Sequence, residues 1–293
     1  MDLPILYKKI FTDLEDAGIK SAEIDVLVLF EYVIKKSREY ILAHPEYELS
    51  NKEILKLKKL IARRKKFEPL AYLVGKKEFF GVSFFVDKNV LIPRPETEIL
   101  VEETLKILEA RIMNYELWKG KKTLKILDIG TGSGCIIISL AKAYSKKFSI
   151  LNSKFSIHFS ASDISEKALK IAKKNAKKHN ANVKFIKSDL FKNIKGKFDL
   201  IIANLPYVPI NGSDDREIKY EPQKAIFAAD NGSAIIKRFL NQAKDHLYTR
   251  GLTLLEVDPR NAHELNKYAS KLYKSVEIKK DFSGKYRILR ILT

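Results

Sequence analysis

Leu124-Lys125-Ile126-Leu127-Asp128-Ile129-Gly130-Thr131-Gly132-Ser133-Gly134 is the stretch that decides the fold. An apolar run closes on an aspartate and passes into a turn with glycine at every second position, after which Ser133 to Tyr144 reads as a helix. A strand that feeds a glycine-rich turn opening a helix is the first unit of a doubly wound sheet. It places a ligand at the carboxyl end of the strand, where the missing side chains let the ligand approach the backbone. The spacing Gly130-x-Gly132-x-Gly134 differs from the dinucleotide pattern G-x-G-x-x-G. Alone, such a turn is compatible with a dehydrogenase or with a purely structural bend.

Downstream the alternation continues. Ile157 to Ser162 reads as a strand ending at Asp163, Ser165 to His179 as a helix, Val183 to Lys187 as a strand ending at Ser188-Asp189, and Phe198 to Ala203 as a strand ending at Asn204. Val208 to Tyr220 is polar and is expected to be a mobile loop. Ser233 to Leu247 reads as a helix, Leu252 to Val257 as a strand, and a further helix precedes two strands near Val276 and Arg287. Strands alternating with helices mean a largely parallel sheet covered on both faces.

Upstream the period is helical. Leu3 to Leu14 and Ala22 to Ile34 carry apolar residues at helical spacing. Ser50-Asn51-Lys52-Glu53 is a capping box opening a helix through about Lys66, with Ile54, Leu55, Leu57, Leu60 and Ile61 as its buried face. Phe79 to Phe85 reads as a short hairpin turning at Gly81. Ile92-Pro93-Arg94-Pro95 forbids helix until about Glu96, where a helix runs to Leu108 or beyond. The expected division is a helical domain over 1–74, a hairpin linker over 75–95, and the α/β domain over 96–293.

The bulk composition fits that plan. The 293 residues are 45% hydrophobic and 31% charged, and no run reaches the ~18 apolar residues of a membrane span. No signal-peptide pattern opens the chain at Met1-Asp2-Leu3-Pro4. A single cysteine, Cys135, excludes an internal disulfide, and the five scattered histidines suggest no metal site. A cytoplasmic location is the natural expectation. The net charge of +19 permits steering toward an anionic partner and leaves nucleic acid contact open. A lysine-rich surface also arises from composition alone.

The chemistry sits at the strand ends. An acidic residue ahead of the first glycine is typical of the S-adenosylmethionine version of the loop, so Gly130, Thr131, Gly132, Ser133 and Gly134 are candidate cofactor contacts. Asp163 can accept both hydroxyls of a ribose, or else cap the helix that follows it. Asp189 can accept from an adenine amino group and Leu190 can cover the ring, although a strand-end aspartate needs no ligand. Asn204-Leu205-Pro206-Tyr207 suits a planar nitrogen, whose lone pair is delocalised and whose N–H bonds must be held. The Asn204 side-chain oxygen and the Leu205 carbonyl can accept those bonds, Pro206 stiffens the turn and Tyr207 offers a ring face. With a methyl already activated on sulfur, positioning can do most of the work, and no strong base is evident nearby. The fold expected is α/β, a Rossmann-like S-adenosylmethionine-dependent methyltransferase sheet with a small helical N-terminal domain. An adenine-N6 type RNA or DNA methyltransferase is the alternative that the tetrapeptide and the charge leave open.

With these residues assembled, the chain resembles the PrmC/HemK family of protein-(glutamine-N5) methyltransferases. The resemblance includes Pro69 to Leu73, Glu78 to Gly81, the Leu91-Ile92-Pro93-Arg94-Pro95-Glu96-Thr97-Glu98 segment, Tyr220 to Ala225 and Asp281 to Arg287. It implies peptide chain release factors as partners, with methylation of the glutamine amide in a Gly-Gly-Gln loop. It also implies a helical domain that helps dock them, cofactor contacts from Gly130 to Gly134, Asp163, Leu190 and Asn204, and an amide clamp from Asn204 to Tyr207. Two departures stand out. Leu205 replaces the usual first proline of Asn-Pro-Pro-Tyr, and Asp258-Pro259 replaces a glycine after Glu256.

Overall fold

The computed structural model describes residues 3–113, 123–148, 156–210, 212 and 214–293. They form two compact units, one of residues 1–76 with 215–220, the other of 77–214 with 221–293.

The first unit contains α1 (Leu3–Asp16), α2 (Ala22–Ile34), α3 (Arg38–Ala43), α4 (Asn51–Arg64) and α5 (Leu70–Val74). The capping box forms as expected, with Ser50 and Glu53 satisfying each other's backbone N–H groups. Leu57, Leu60 and Ile61 are buried, but Leu55 is 55% exposed and does not belong to the buried face. The face turns instead to Arg64, whose guanidinium is buried between Asp25 and Glu217. That pairing involves the segment Val208 to Tyr220 that was expected to be a mobile loop. Glu217 adds a second carboxylate to a guanidinium already paired with Asp25, and the Tyr220 hydroxyl donates to the Lys66 carbonyl at 2.8 Å. Its earlier part, β7 (Val208–Pro209), pairs with β8 (Phe227–Ala228), and Ile218–Tyr220 forms a 3-10 turn.

The second unit holds the hairpin β1 (Lys76–Phe79) and β2 (Val82–Phe85), whose first residue marks the boundary. Expected as a linker, this segment sits in the core: Phe79, Val82 and Phe84 are buried with Leu100 and Ile138. The chain continues through α6 (Glu98–Met113), β3 (Thr123–Ile129), α7 (Cys135–Phe148), β4 (Ser156–Asp163), α8 (Glu166–Lys178), β5 (Val183–Lys187) and β6 (Phe198–Ala203). It closes with α9 (Ala234–Ala243), β9 (Leu247–Glu256), α10 (Ala262–Ala269), β10 (Ser275–Lys280) and β11 (Tyr286–Leu292). α7 runs as far as Phe148, and the segment that follows it lies outside the described residues up to β4. The helix expected to reach Leu247 ends at Ala243, and Leu247 already begins the strand.

The seven-stranded sheet has the order β10-β11-β9-β6-β3-β4-β5. β9, β6, β3, β4 and β5 run parallel, and β11 runs antiparallel to both of its neighbours. The chain leaves β3 toward β4 on one side and returns as β6 on the other, so the crevice between β3 and β6 is the topological switch point. Every residue of β6 is buried, as a central strand covered on both faces requires.

Candidate active site

The loop after β3 is pinned from the next strand. Gly130 N and Thr131 N both donate to the Ser162 carbonyl at 2.9 Å, and Gly130, Gly132 and Gly134 all have positive φ. A Cβ on Gly130 would meet Leu205 Cδ2 at 3.0 Å, so the Leu205 side chain closes over this glycine. Leu205 therefore faces the core, 4% exposed, and its side chain does not line the acceptor site.

Asp128 is fully buried. Its Oδ2 accepts from the Thr131 hydroxyl at 2.7 Å, while Oδ1 has no partner among the described residues. Burial pushes its carboxyl up to about 7, against the pull of Thr131 and with a further push from Asp163. A buried acceptor left open beside a glycine cradle fits a cationic, hydrogen-bonding ligand, which S-adenosylmethionine is. Asp163 accepts from Gly132 N at 2.9 Å and Ser165 N at 2.8 Å. The helix cap is Ser165, which accepts from Ala168 N, so Asp163 is not the N-cap. A carboxylate has about four acceptor positions, and two remain for ribose hydroxyls. Burial raises its pKa as well. Asp189 is engaged by Arg238 at 3.0 Å. Leu190 is buried with positive φ, 46°, a strained setting for leucine at a strand end.

Asn204 follows the last residue of β6, at the switch point. Its Nδ2 donates to the Thr97 hydroxyl at 2.9 Å, which turns Oδ1 away as the remaining acceptor. Tyr207 is less free than expected, because its hydroxyl donates to Glu256 Oε1 at 2.9 Å. Glu256 ends β9, beside β6, and is fully buried. Burial raises its carboxyl to about 7, opposed by Thr97, Tyr207 and Arg287 and reinforced by Glu96. The same burial, with Glu256 beside it, holds the Tyr207 phenol well above its usual range. The Tyr207 backbone is held equally closely: a Cβ on Gly232 (φ +87°) would lie 1.9 Å from the Tyr207 carbonyl oxygen.

Thr97 owes its place to a second buried carboxylate. Glu221 accepts from Ile92 N at 2.9 Å and from the Arg94 guanidinium, fixing the proline segment that leads into the Pro95–Thr97 turn. Asp258, at the second departure, accepts from Arg260 N and holds the Arg260 side chain at 2.6 Å. Thr97, Glu221 and Glu256 were missed as site residues. The available signal was a polar residue inside the proline segment and single glutamates within apolar or turn segments. Cys135 is buried, with its thiol pushed up to about 12 by burial. No group of residues suited to holding a metal occurs among the described residues.

The chain is similar to known proteins over most of its length. The family model described as the PrmC N-terminal domain matches residues 6–75, and a methyltransferase domain model matches 120–283. A release factor glutamine methyltransferase of Haemophilus influenzae is 35% identical, covering 92% of this chain and 91% of its own. One from Lactococcus lactis is 38% identical, covering 83% and 84%. A bifunctional methyltransferase of Rickettsia bellii is 35% identical over 95% of this chain, which spans only 52% of that relative. Among solved structures, a Thermus thermophilus 16S rRNA N2 G1207 methyltransferase bound to AdoMet and guanosine aligns over 74% of this chain and 49% of its own, with TM-score 0.52 and 15% identity. The hMettl16 catalytic domain aligns over 82% and 81%, with TM-score 0.52 and 16% identity. At that identity the two structures speak to the fold only.

Proposed function

Because this chain belongs to the family of release factor glutamine methyltransferases, we propose that it methylates the side-chain amide of the glutamine in the Gly-Gly-Gln loop of a bacterial-type peptide chain release factor. When bound, S-adenosylmethionine supplies a methyl group on a positively charged sulfur. The observation that carries the reading is the orientation of Asn204. Thr97 accepts one N–H of its amide and so fixes the amide's orientation, which leaves its oxygen to accept an N–H of the incoming amide. The Leu205 carbonyl accepts the other N–H, and the Tyr207 ring supports the flat group. Held in this way, the amide nitrogen would present its lone pair to the methyl carbon; the C–N bond would form as the C–S bond breaks, its electron pair staying on sulfur as the neutral thioether, and the nitrogen would give up a proton to solvent. Gly130 to Gly134, Asp163, Asp189 and Leu190 hold the cofactor in this reading, with Asp128 behind them. Because the backbone carbonyl is the acceptor at position 205, leucine in place of proline leaves the chemistry intact.

The position of one lysine-lined groove speaks against the nucleic acid alternative. A groove lined by Lys125, Lys142, Lys146, Lys184, Lys195 and Lys197 lies at the amino ends of β3, β5 and β6, at the opposite edge of the sheet from Asn204. That groove is therefore not aimed at the Asn204 turn. No described helix is long and apolar enough to cross a membrane. A cytoplasmic location follows from a substrate that works on cytoplasmic ribosomes.

The test is transfer of labelled methyl from the cofactor to purified release factor. Wild-type factor is labelled, and a factor with Gln→Ala in the Gly-Gly-Gln loop is not. Equal labelling of the two would remove the glutamine reading, and labelled RNA with unlabelled factor would restore the alternative.

A further inference from the structure

Glu256 is a carboxylate buried where the mechanism asks for no base. It lies at the end of β9, one strand over from Asn204, and its residue is 0% exposed. One oxygen receives the Tyr207 hydroxyl, and the other, Oε2, has no partner among the described residues. Thr97, whose hydroxyl receives the Asn204 amide, stands beside the same carboxylate. The charged groups that face it are Arg287 from β11 and Glu96 from the proline segment. A fully buried carboxylate held by neighbouring hydroxyls is a poor device for stability, since an apolar or amide group of similar shape would serve better. Its position, however, touches both ends of the acceptor turn at once.

We propose that Glu256 is the positioning residue of the acceptor site, holding Tyr207 by its hydroxyl and steadying Asn204 through Thr97, so that the amide clamp is set before the substrate arrives. It touches neither substrate nor cofactor and acts through its two neighbours. The proposal rests on the release-factor reading of the site, and the experiment separates the two.

Wild type, Glu256→Gln and Tyr207→Phe are compared in steady-state methylation of release factor, together with thermal melts and cofactor binding. Wild type must first methylate the factor. If it does not, the functional reading falls and this proposal falls with it. Given active wild type, Glu256→Gln lowers kcat by about ten- to hundred-fold, the worth of one hydrogen bond to a charged group. Cofactor affinity is unchanged, and the melting temperature at neutral pH is equal or higher. Tyr207→Phe shows a similar loss, and the double variant loses no more than either single one, as two parts of one device should. A Glu256→Gln enzyme with wild-type kcat, or one whose loss tracks a lowered melting temperature, overturns the proposal. If that variant does not fold, Tyr207→Phe decides, and wild-type kcat there overturns it equally.

Discussion

A partner for the Asn204 side-chain nitrogen fixes which way its carbonyl oxygen points. In this chain that partner is Thr97, a residue 107 positions away. Thr97→Val keeps the shape but frees the amide to turn, and kcat for release factor methylation is expected to fall about ten-fold. Thr97→Ser retains most activity. Steady-state kinetics on both variants checks this, and a valine enzyme as fast as wild type would show that the orientation comes from elsewhere. Asp128 makes a second prediction. Its carboxyl is raised from 3.8 to about 7 by burial, so the folded state binds its proton more tightly than the unfolded chain. That contribution to stability is present below the unfolded value and is lost as pH rises through the window up to about 7. Asp128→Asn retains an acceptor for Thr131 and has no proton to lose. Melted without cofactor, it should gain on wild type progressively as pH rises through that window. A difference that is the same at every pH would contradict the assignment.

At the scale of elements, what could be read from sequence was what local chemistry determines. The Ser50–Glu53 capping box, the β3 glycine loop and the Asp163 and Asn204 strand ends all declare themselves within a few residues. The short helices Arg38–Ala43 and Leu70–Val74 were not legible, because so few residues show no period. Nor was the fixed 215–220 segment, whose order depends on burying Arg64. Within the candidate site, the sequence pointed to Asn204 and Tyr207 by their place after a strand, whereas the groups that contact them were not legible. Glu256 and Glu221 act through contacts 49 and 129 positions apart in sequence, and a lone glutamate carries no sign of its partner. The turn carrying Gly232 is part of the same hidden support. Gly232→Ala puts a Cβ where the Tyr207 carbonyl now stands, so the acceptor turn must move. Methyl transfer is expected to drop by about a hundred-fold or more, as misplacement of order 1 Å does, while cofactor binding by calorimetry is largely kept. Full activity in that variant would show that the turn has slack the structure does not suggest.

For the whole molecule, two features outside the site set expectations. In the helical unit, Arg64 lies between Asp25 and Glu217, so Arg64→Ala leaves buried carboxylate behind and should destabilise by about 3–5 kcal/mol in denaturant titrations. A loss below about 1 kcal/mol would show that the 215–220 segment is held by other contacts. The net charge of +19 is the other feature, and one lysine-lined groove stands at the amino ends of the strands, opposite the carboxyl end where Asn204 lies. Any RNA bound there should weaken with salt and still receive no methyl. The central claim is that this site methylates a glutamine amide, and peptide mapping of treated release factor tests it most directly. Tandem mass spectrometry is predicted to find one added methyl group, on the side-chain nitrogen of the Gly-Gly-Gln glutamine, and none when Asn204→Ala enzyme is used. A methyl on any other residue, or the same product from the alanine variant, would contradict the account.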